Sequence, residues 1–493
     1  MKQYILVLDA GTTSVRALIF DRGFRVISSA FAEVNTFARS AVIIEQDGNE
    51  IFEKSLAVCR QALQKGGIAV DELVCLSITN QRATSLPWDK QTGAPLRPAI
   101  NWADYRAKPI VDRLIADGWM ERVEDVMIRP NYMFANLHFA WFLENDDLIR
   151  RKLSADELCY GTLDSYLVYR LTGGKRYITT YTNVSAYTGF NLRELRWQED
   201  FLAYLGIPVS ALPAVVDDAG GLGDVDSEFF GQPLPIGAVY ADQQAGRFAH
   251  GATRKGTLKC TIGTGAFCDL CVGESYMPAP PGLLPYVTYK LGDNIRFQIE
   301  GYVASAGSAV QWLRDGLGLI GDYGEIKALV DSVPDSGGLY FVPALAGLGA
   351  PDWEADATGV FIGLSLGTKK GHIMRAVLEG IACRIRDICD RMTRTCGVEV
   401  KAVLVDGGVA RSDYFCQTIA SLLKIRVERP LLSEATSLGA AELAGLSLGF
   451  WSEEEVAAAG RDRDVFNPVS SAAEADAHYE VWRRAKERSR HWR

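Results

Sequence analysis

Apolar and polar positions alternate in the same way at two places in this chain. Residues 5–8 are apolar and end in Asp9, the small, hydroxyl-rich turn 10–14 follows, and residues 15–20 are apolar again. That pattern predicts a β-hairpin with a carboxylate and a phosphate-sized turn at its tip. Residues 258–272, LKCTIGTGAFCDLCV, repeat the plan around Gly263, Thr264 and Gly265. Between the two hairpins, strand-like and helix-like segments take turns. Residues 49–65 are helical in period (Ile51, Leu56, Val58, Leu63), residues 73–79 form a strand leading into Asn80, Gln81 and Arg82, and residues 98–102 form a strand end presenting Trp102. Helical patterns follow at 106–117, 137–144 and 161–171, the last stopped by Thr172, Gly173 and Gly174. The polar, aromatic stretch 177–187 reads as loop and edge structure facing a cleft.

Residues 234–241 predict a strand that delivers Asp242, Gln243 and Gln244. The small residues at 245–251 suggest a domain boundary, giving domains of 1–247 and 248–493. In the second half a helix is predicted at 309–315, and a core helix at 373–392 from the face Ile373, Val377, Ile381, Ile385, Ile388 and Met392. A strand at 402–405 runs into Asp406, Gly407 and Gly408 before a helix at 414–423. The tail, 472–489, is a charged amphipathic helix that packs through Tyr479 and Trp482. Strand alternating with helix over 493 residues indicates an α/β protein of two domains.

Composition narrows the function more than the fold. Hydrophobic residues make up 48% and charged residues 23% of the chain, an ordinary soluble mixture. A net charge of −9 argues against nucleic acid or an anionic membrane as the main partner. The ten cysteines have no framework spacing, and the Cys268–Cys271 pair lacks a second pair, so they read as reduced core thiols. The five histidines form no metal-ligand spacing. The working Asp9 comes too early for a cleavable leader, and no apolar run reaches the ~20 residues of a membrane span. A cytoplasmic location is expected.

The two hairpin turns carry the candidate chemistry. Gly11 lets the backbone turn tightly and approach a ligand, and surrounding N–H groups and threonine hydroxyls can face phosphate oxygens. Asp9 sits where a magnesium ion takes an oxygen ligand. One such turn alone is equally an ordinary hairpin tip. A second copy suggests a duplicated nucleotide-binding domain, and no GxxxxGK[ST] loop is present. Gly407 and Gly408 fit either a tight turn or a surface on which a flat base or a phosphate lies against backbone.

Taken together, the motifs resemble the FGGY family of carbohydrate kinases, and within it the glycerol kinases. The resemblance is carried by VLDAGTTSVRALIFD, ITNQR (78–82), INWADYR (100–106), GTLDSYLVYRLTGG, YTNVS, ADQQA, TIGTGAF, SAVQWLRDGLGLI and GVFIGLSLGTKKGHIMRAVLE (359–379). Their order and spacing cover essentially the whole chain. The implied fold is the two-domain actin/Hsp70-like (ribonuclease H-like) ATPase, with a five-stranded core in each half and an interdomain cleft. The implied reaction transfers the ATP γ-phosphoryl group to a terminal hydroxyl of glycerol or a related polyol.

The same resemblance distributes roles. Asp242, at a strand end, is the catalytic base; Asp9 is near Mg²⁺. ATP contacts fall to Thr12, Thr13, Arg16, Gly263, Thr264, Gly307, Gln311, Gly407, Gly408 and Ser412. Substrate contacts fall to Arg82, Ala83, Trp102, Met133, Gln243 and Phe267. Four positions depart from the glycerol-kinase pattern: Ala83 for a glutamate, Met133 for a tyrosine with Tyr132 adjacent, His138 for a lysine, and Ser412 for an asparagine. Losing a carboxylate and a phenol enlarges the expected pocket, so a longer polyol or ketose (tetritol, pentitol, pentulose) is the alternative substrate. A non-catalytic ATP-driven binding module and a sugar sensor are the alternative functions. The expected partners are a small polyol or sugar, with no nucleic acid and with a homodimer or homotetramer left open.

Overall fold

The computed structural model describes residues 2–40, 42–432, 434–459 and 462–491. Two β-sheets, one per half, share a five-strand plan. In the first, Tyr4–Ala10 and Ser14–Asp21 form the hairpin, Val26–Glu33 continues it antiparallel, and Leu73–Asn80 and Leu234–Ala241 add on the other side as parallel strands. In the second, the corresponding strands are Thr257–Ile262, Ala266–Gly273, Asn294–Val303, Ala402–Asp406 and Val427–Pro430. Additional edge strands, among them Leu284–Leu291, bring the sheets to six and seven strands. The central strands are buried on both faces, as Tyr4–Ala10 shows from Ile5 onward, which is why they read as continuous apolar runs.

Each crossover is a helix whose apolar face covers its sheet. Gly48–Gly66 is capped by Asp47, whose carboxylate accepts from Asn49 N–H, and ends at Gly67 in the left-handed conformation. Lys370–Cys396 is the long core helix of the second half. Ala472–Ser489 closes the chain, with Tyr479 and Trp482 buried and the Trp482 indole donating to the Phe341 carbonyl at 2.8 Å.

Two helices join the halves. Asp242–Ala249 packs against Ala435–Ser447, and the latter also lies on the first sheet although it comes from the second half. The two helices touch backbone to backbone: a Cβ at Gly439 would stand 1.8 Å from the Ala245 carbonyl oxygen. Leu438, Ala441, Leu443 and Trp451 fill one face of the first sheet together with Ile5, Val7, Phe20 and Cys75. The Ser77 hydroxyl donates to the Ala440 carbonyl at 2.8 Å. The small residues at which a domain boundary is expected lie at this helix crossing, and positions 247 and 248 are inside the helix Asp242–Ala249.

Two other segments differ from expectation. Gly161 and Thr162 end the strand Leu158–Thr162, paired with Ser85–Asp89, and the helix begins at Leu163. The stretch 177–187 is a buried strand, Ile178–Thr180, followed by a helical turn, Tyr181–Val184. Its polar groups are satisfied internally: Asp218 accepts from the Thr182 N–H at 2.9 Å and hydroxyl at 2.6 Å. Among the described residues, no helix is long and apolar enough to cross a membrane. All ten cysteines are free thiols, nine of them buried.

Candidate active site

The strand Leu234–Ala241 ends at the cleft, and Asp242 is the first residue of the helix that follows. The Gln243 N–H donates to Asp242 Oδ1 at 2.7 Å. Burial pushes the Asp242 carboxyl up to about 6, against the opposing pull of Arg82. Arg82 follows the neighbouring parallel strand. There Thr84 N–H bonds back to the Arg82 carbonyl at 2.7 Å across Ala83, whose φ is +61°. This three-residue turn is a strained conformation for a side-chain-bearing residue and sends the Arg82 guanidinium towards the second half. Its Nη2 lies 2.8 Å from Glu300, and the group stands 4.5 Å over the Tyr286 ring and 5.9 Å from the Phe267 ring. Arg82 Nη1 is buried with no hydrogen-bond partner, and so is Gln243 Oε1. A donor and an acceptor, both unused, thus accompany the carboxylate of Asp242.

The wall beside them is apolar. Ala83 is buried with Ile128, Phe134, Ala186 and Tyr286, and Trp102 and Met133 pack against that cluster. The Tyr286 ring of this cluster also stands under Arg82, so apolar and aromatic side chains surround the position where a glutamate is missing. Tyr132 stacks on Tyr105 with ring centroids 4.3 Å apart. His138 is a core residue, its Nδ1 3.0 Å from the Ser85 hydroxyl and its pKa depressed to about 4 by burial, so it is neutral. The Trp102 indole donates to Thr12 Oγ1 at 3.1 Å and thereby links the substrate wall to the first hairpin turn.

At that turn, Asp9 and Arg16 are directly opposite across the hairpin and form an ion pair, and Ser437 Oγ donates to the same oxygen, Asp9 Oδ2, at 3.3 Å. Arg16 also pairs with Glu434 at 2.8 Å. Thr13 is exposed at the tip. The second turn opens onto a cavity of about 970 Å³ lined by Gly263, Thr264, Gly307, Gln311, Gly408 and Ser412, among others. Gly307 and Ser308 N–H groups donate to the Gly263 and Thr264 carbonyls at 2.9 and 3.0 Å, stitching helix Gly307–Asp315 to the turn. A Cβ on Gly307 would meet the Gly263 oxygen at 2.2 Å. Gly407 does not line the cavity; at φ +94° and pressed against Ile262, it is the tight turn that places Gly408 there. Ser412 lines the cavity and caps helix Asp413–Leu423 through the Phe415 N–H. Thr12, Thr13 and Arg16 stand on the first half, away from this cavity's lining.

A magnesium ion suits this donor set. Both protein donors to Asp9 act on Oδ2, and among the described residues no three ligating side chains converge to cage a metal. Mg²⁺ typically takes one or two carboxylates and completes its shell with phosphate oxygens and water.

Glu300, Tyr286 and Asp269 were not singled out from sequence. The available signal was the alternation of Arg296, Gln298 and Glu300 with apolar Ile295, Phe297 and Ile299 along one strand, with Glu300 opposite Asp269.

Residues 4–249 match the family described as "FGGY family of carbohydrate kinases, N-terminal domain", and residues 258–448 match its C-terminal domain. A glycerol kinase of Petrotoga mobilis is 38% identical, with 100% of this chain and 99% of that protein covered. Glycerol kinase 2 of Thermotoga maritima is 37% identical, with 99% of each covered. The crystal structure of Plasmodium falciparum glycerol kinase with ADP superposes with a TM-score of 0.93 at 29% identity, covering 99% of this chain and 98% of that one. A xylulose kinase from Rhodospirillum rubrum, at 22% identity and a TM-score of 0.88 with 99% of each chain covered, shares the fold.

Proposed function

The chain belongs to the FGGY family of carbohydrate kinases, and on that footing we propose that it is an ATP-dependent kinase whose acceptor is glycerol. One observation carries the acceptor class: the unused buried donor Arg82 Nη1 and acceptor Gln243 Oε1 beside Asp242. Buried polar groups without partners cost free energy, and neighbouring hydroxyls of a polyol satisfy both kinds at once. Relatives that are glycerol kinases, 37–38% identical over 99–100% of this chain, favour glycerol over a longer acceptor.

In this reading, Asp242 accepts the proton of the terminal hydroxyl as its oxygen attacks the γ-phosphorus in line and the bond to the β-phosphate breaks, leaving ADP. Arg82 and Gln243 orient the polyol, while Trp102, Met133 and Phe267 wall it from water. Gly263, Thr264, Gly307, Gln311, Gly408 and Ser412 hold the nucleotide, and Thr12, Thr13 and Arg16 meet its phosphates from the other half. Asp9 would hold Mg²⁺, which supplies neutralising charge on the phosphates. Use of ATP as phosphoryl donor supports a cytoplasmic location.

ADP release is the test, measured with glycerol, erythritol, threitol, ribitol, xylitol and the pentuloses. Glycerol should give the highest kcat/KM. ADP release indifferent to every polyol would refute the kinase reading, and a pentulose or pentitol preferred over glycerol would refute the acceptor.

A further inference from the structure

Glu300 and Asp269 stand directly opposite each other on antiparallel strands of the second sheet. Their side chains are 3% and 0% exposed. Two ionised carboxylates in that position repel across the ladder, and burial strengthens the repulsion. Few charged or titratable groups face them. Arg82 comes from the first half, with Asp242 beyond it. Tyr286 comes from the adjoining strand Leu284–Leu291, and its phenol stays protonated because burial raises its pKa. Arg247, from helix Asp242–Ala249, turns its guanidinium to the main-chain carbonyls of Asp269 and Thr257. The neutral Gln298 amide donates to Asp269 Oδ1 at 2.7 Å. Lys259, directly opposite Asp269 on strand Thr257–Ile262, turns its ammonium to Asp406, 3.2 Å away, so Arg82 is the cation in contact with the carboxyl pair. Asp269 Oδ2 and Glu300 Oε2 are each buried without a hydrogen bond, although Glu300 Oε2 is within ion-pair distance of Arg82.

We propose that Glu300 and Asp269 share one proton and act as a single anion that positions Arg82 for the acceptor polyol, an assignment that rests on the kinase reading above. A proton between the two carboxyls satisfies both orphaned oxygens and leaves one negative charge against one positive charge. It also fixes the guanidinium by Nη2, so that Nη1 stays free for substrate. Burial, the main influence on Glu300, pushes its pKa up to about 8, in keeping with a proton retained at neutral pH. When that proton leaves, a second negative charge draws Arg82 away from the polyol, and the acceptor's KM rises. Glu300 is thus a positioning residue, acting through Arg82.

Steady-state kinetics with ATP and glycerol test the proposal on wild type, Glu300→Ala, Glu300→Gln and Asp269→Asn, with thermal melting to confirm folding. Glu300→Ala should raise glycerol KM or lower kcat so that kcat/KM falls by roughly tenfold or more, with ATP KM unchanged. Glu300→Gln keeps an acceptor for Arg82 and should stay within about fivefold of wild type at neutral pH. Wild type should show glycerol KM rising above about pH 8, and both Glu300→Gln and Asp269→Asn should lose that rise. A Glu300→Ala enzyme within about twofold of wild type, a Glu300→Gln enzyme as impaired as Glu300→Ala, or an alkaline rise that persists in Glu300→Gln would each overturn the proposal. Should Glu300→Ala fail to fold, the two isosteric variants decide. A wild type without polyol-dependent ADP release counts against the kinase reading instead.

Discussion

Replacing Asp242 by asparagine should inactivate the enzyme and stabilise it at the same time. The carboxyl titrates near 6 in the folded protein because burial disfavours its charge, whereas an ordinary aspartate titrates near 3.8. Below about pH 4 the group is protonated whether the chain is folded or not, and it has no effect on stability. Between about 4 and 6 only the unfolded chain gains by ionising it, and above about 6 the folded state bears the whole penalty, ~3 kcal/mol from the difference between the two pKa values. Asparagine has no charge to desolvate, so Asp242→Asn should raise unfolding free energy by about 1–3 kcal/mol at neutral pH and leave it unchanged near pH 4. Activity moves the other way: losing a general base costs roughly 10²–10⁴-fold in turnover. The same titration governs the wild-type pH profile, because the base works only when ionised. At pH 5 about one molecule in ten carries the ionised base, so kcat/KM for glycerol should fall about tenfold per pH unit below 6. Urea denaturation of both proteins at neutral and acid pH, alongside ADP-release kinetics from pH 4.5 upward, provides the assay. Turnover of the variant near the wild-type rate, or kcat/KM that stays flat down to pH 4.5, would show that Asp242 is not the base.

Two further substitutions probe the rest of the site. Gly307→Ala places a Cβ 2.2 Å from the Gly263 carbonyl oxygen, so the turn must part from its helix; ATP KM should rise at least about tenfold while glycerol KM changes little. Ala83→Glu puts a carboxylate at φ +61° among Ile128, Phe134, Ala186 and Tyr286, and should cost about 2 kcal/mol or more in thermal unfolding, with Ala83→Glu/Tyr286→Ala recovering part of it.

The two hairpins, the strand before Asp242 and the terminal helix were legible because apolar periodicity reports local structure directly. What escaped had its cause elsewhere in the chain. That the small residues after Asp242 cross a second helix was hidden because their partner, Gly439, is nearly two hundred positions away. The stretch 177–187 looked exposed because Asp218, which satisfies Thr182, lies outside it. The aromatic neighbour of Ala83 in its cluster, Tyr286, was hidden because it lies about two hundred positions further along the chain. The anion that holds Arg82 depends on strand register, and a single-residue slip would send Glu300 to the other face. Gly407 and Gly408, alike as letters, divide their roles by backbone geometry alone: one makes the turn and the other lines the cavity.

The helix Ala435–Ser447 has a consequence for the order in which the protein is made. Every strand of the first sheet has been synthesised by residue 241, yet much of the layer that covers Ile5, Val7, Phe20 and Cys75 comes from residues 438–451. At roughly 5–20 residues per second, the nascent first half waits on the order of ten to forty seconds with that apolar face bare. A chain terminated before residue 435 should therefore yield an aggregating fragment even though its sheet is complete. During normal synthesis the same interval is when a chaperone has something to hold.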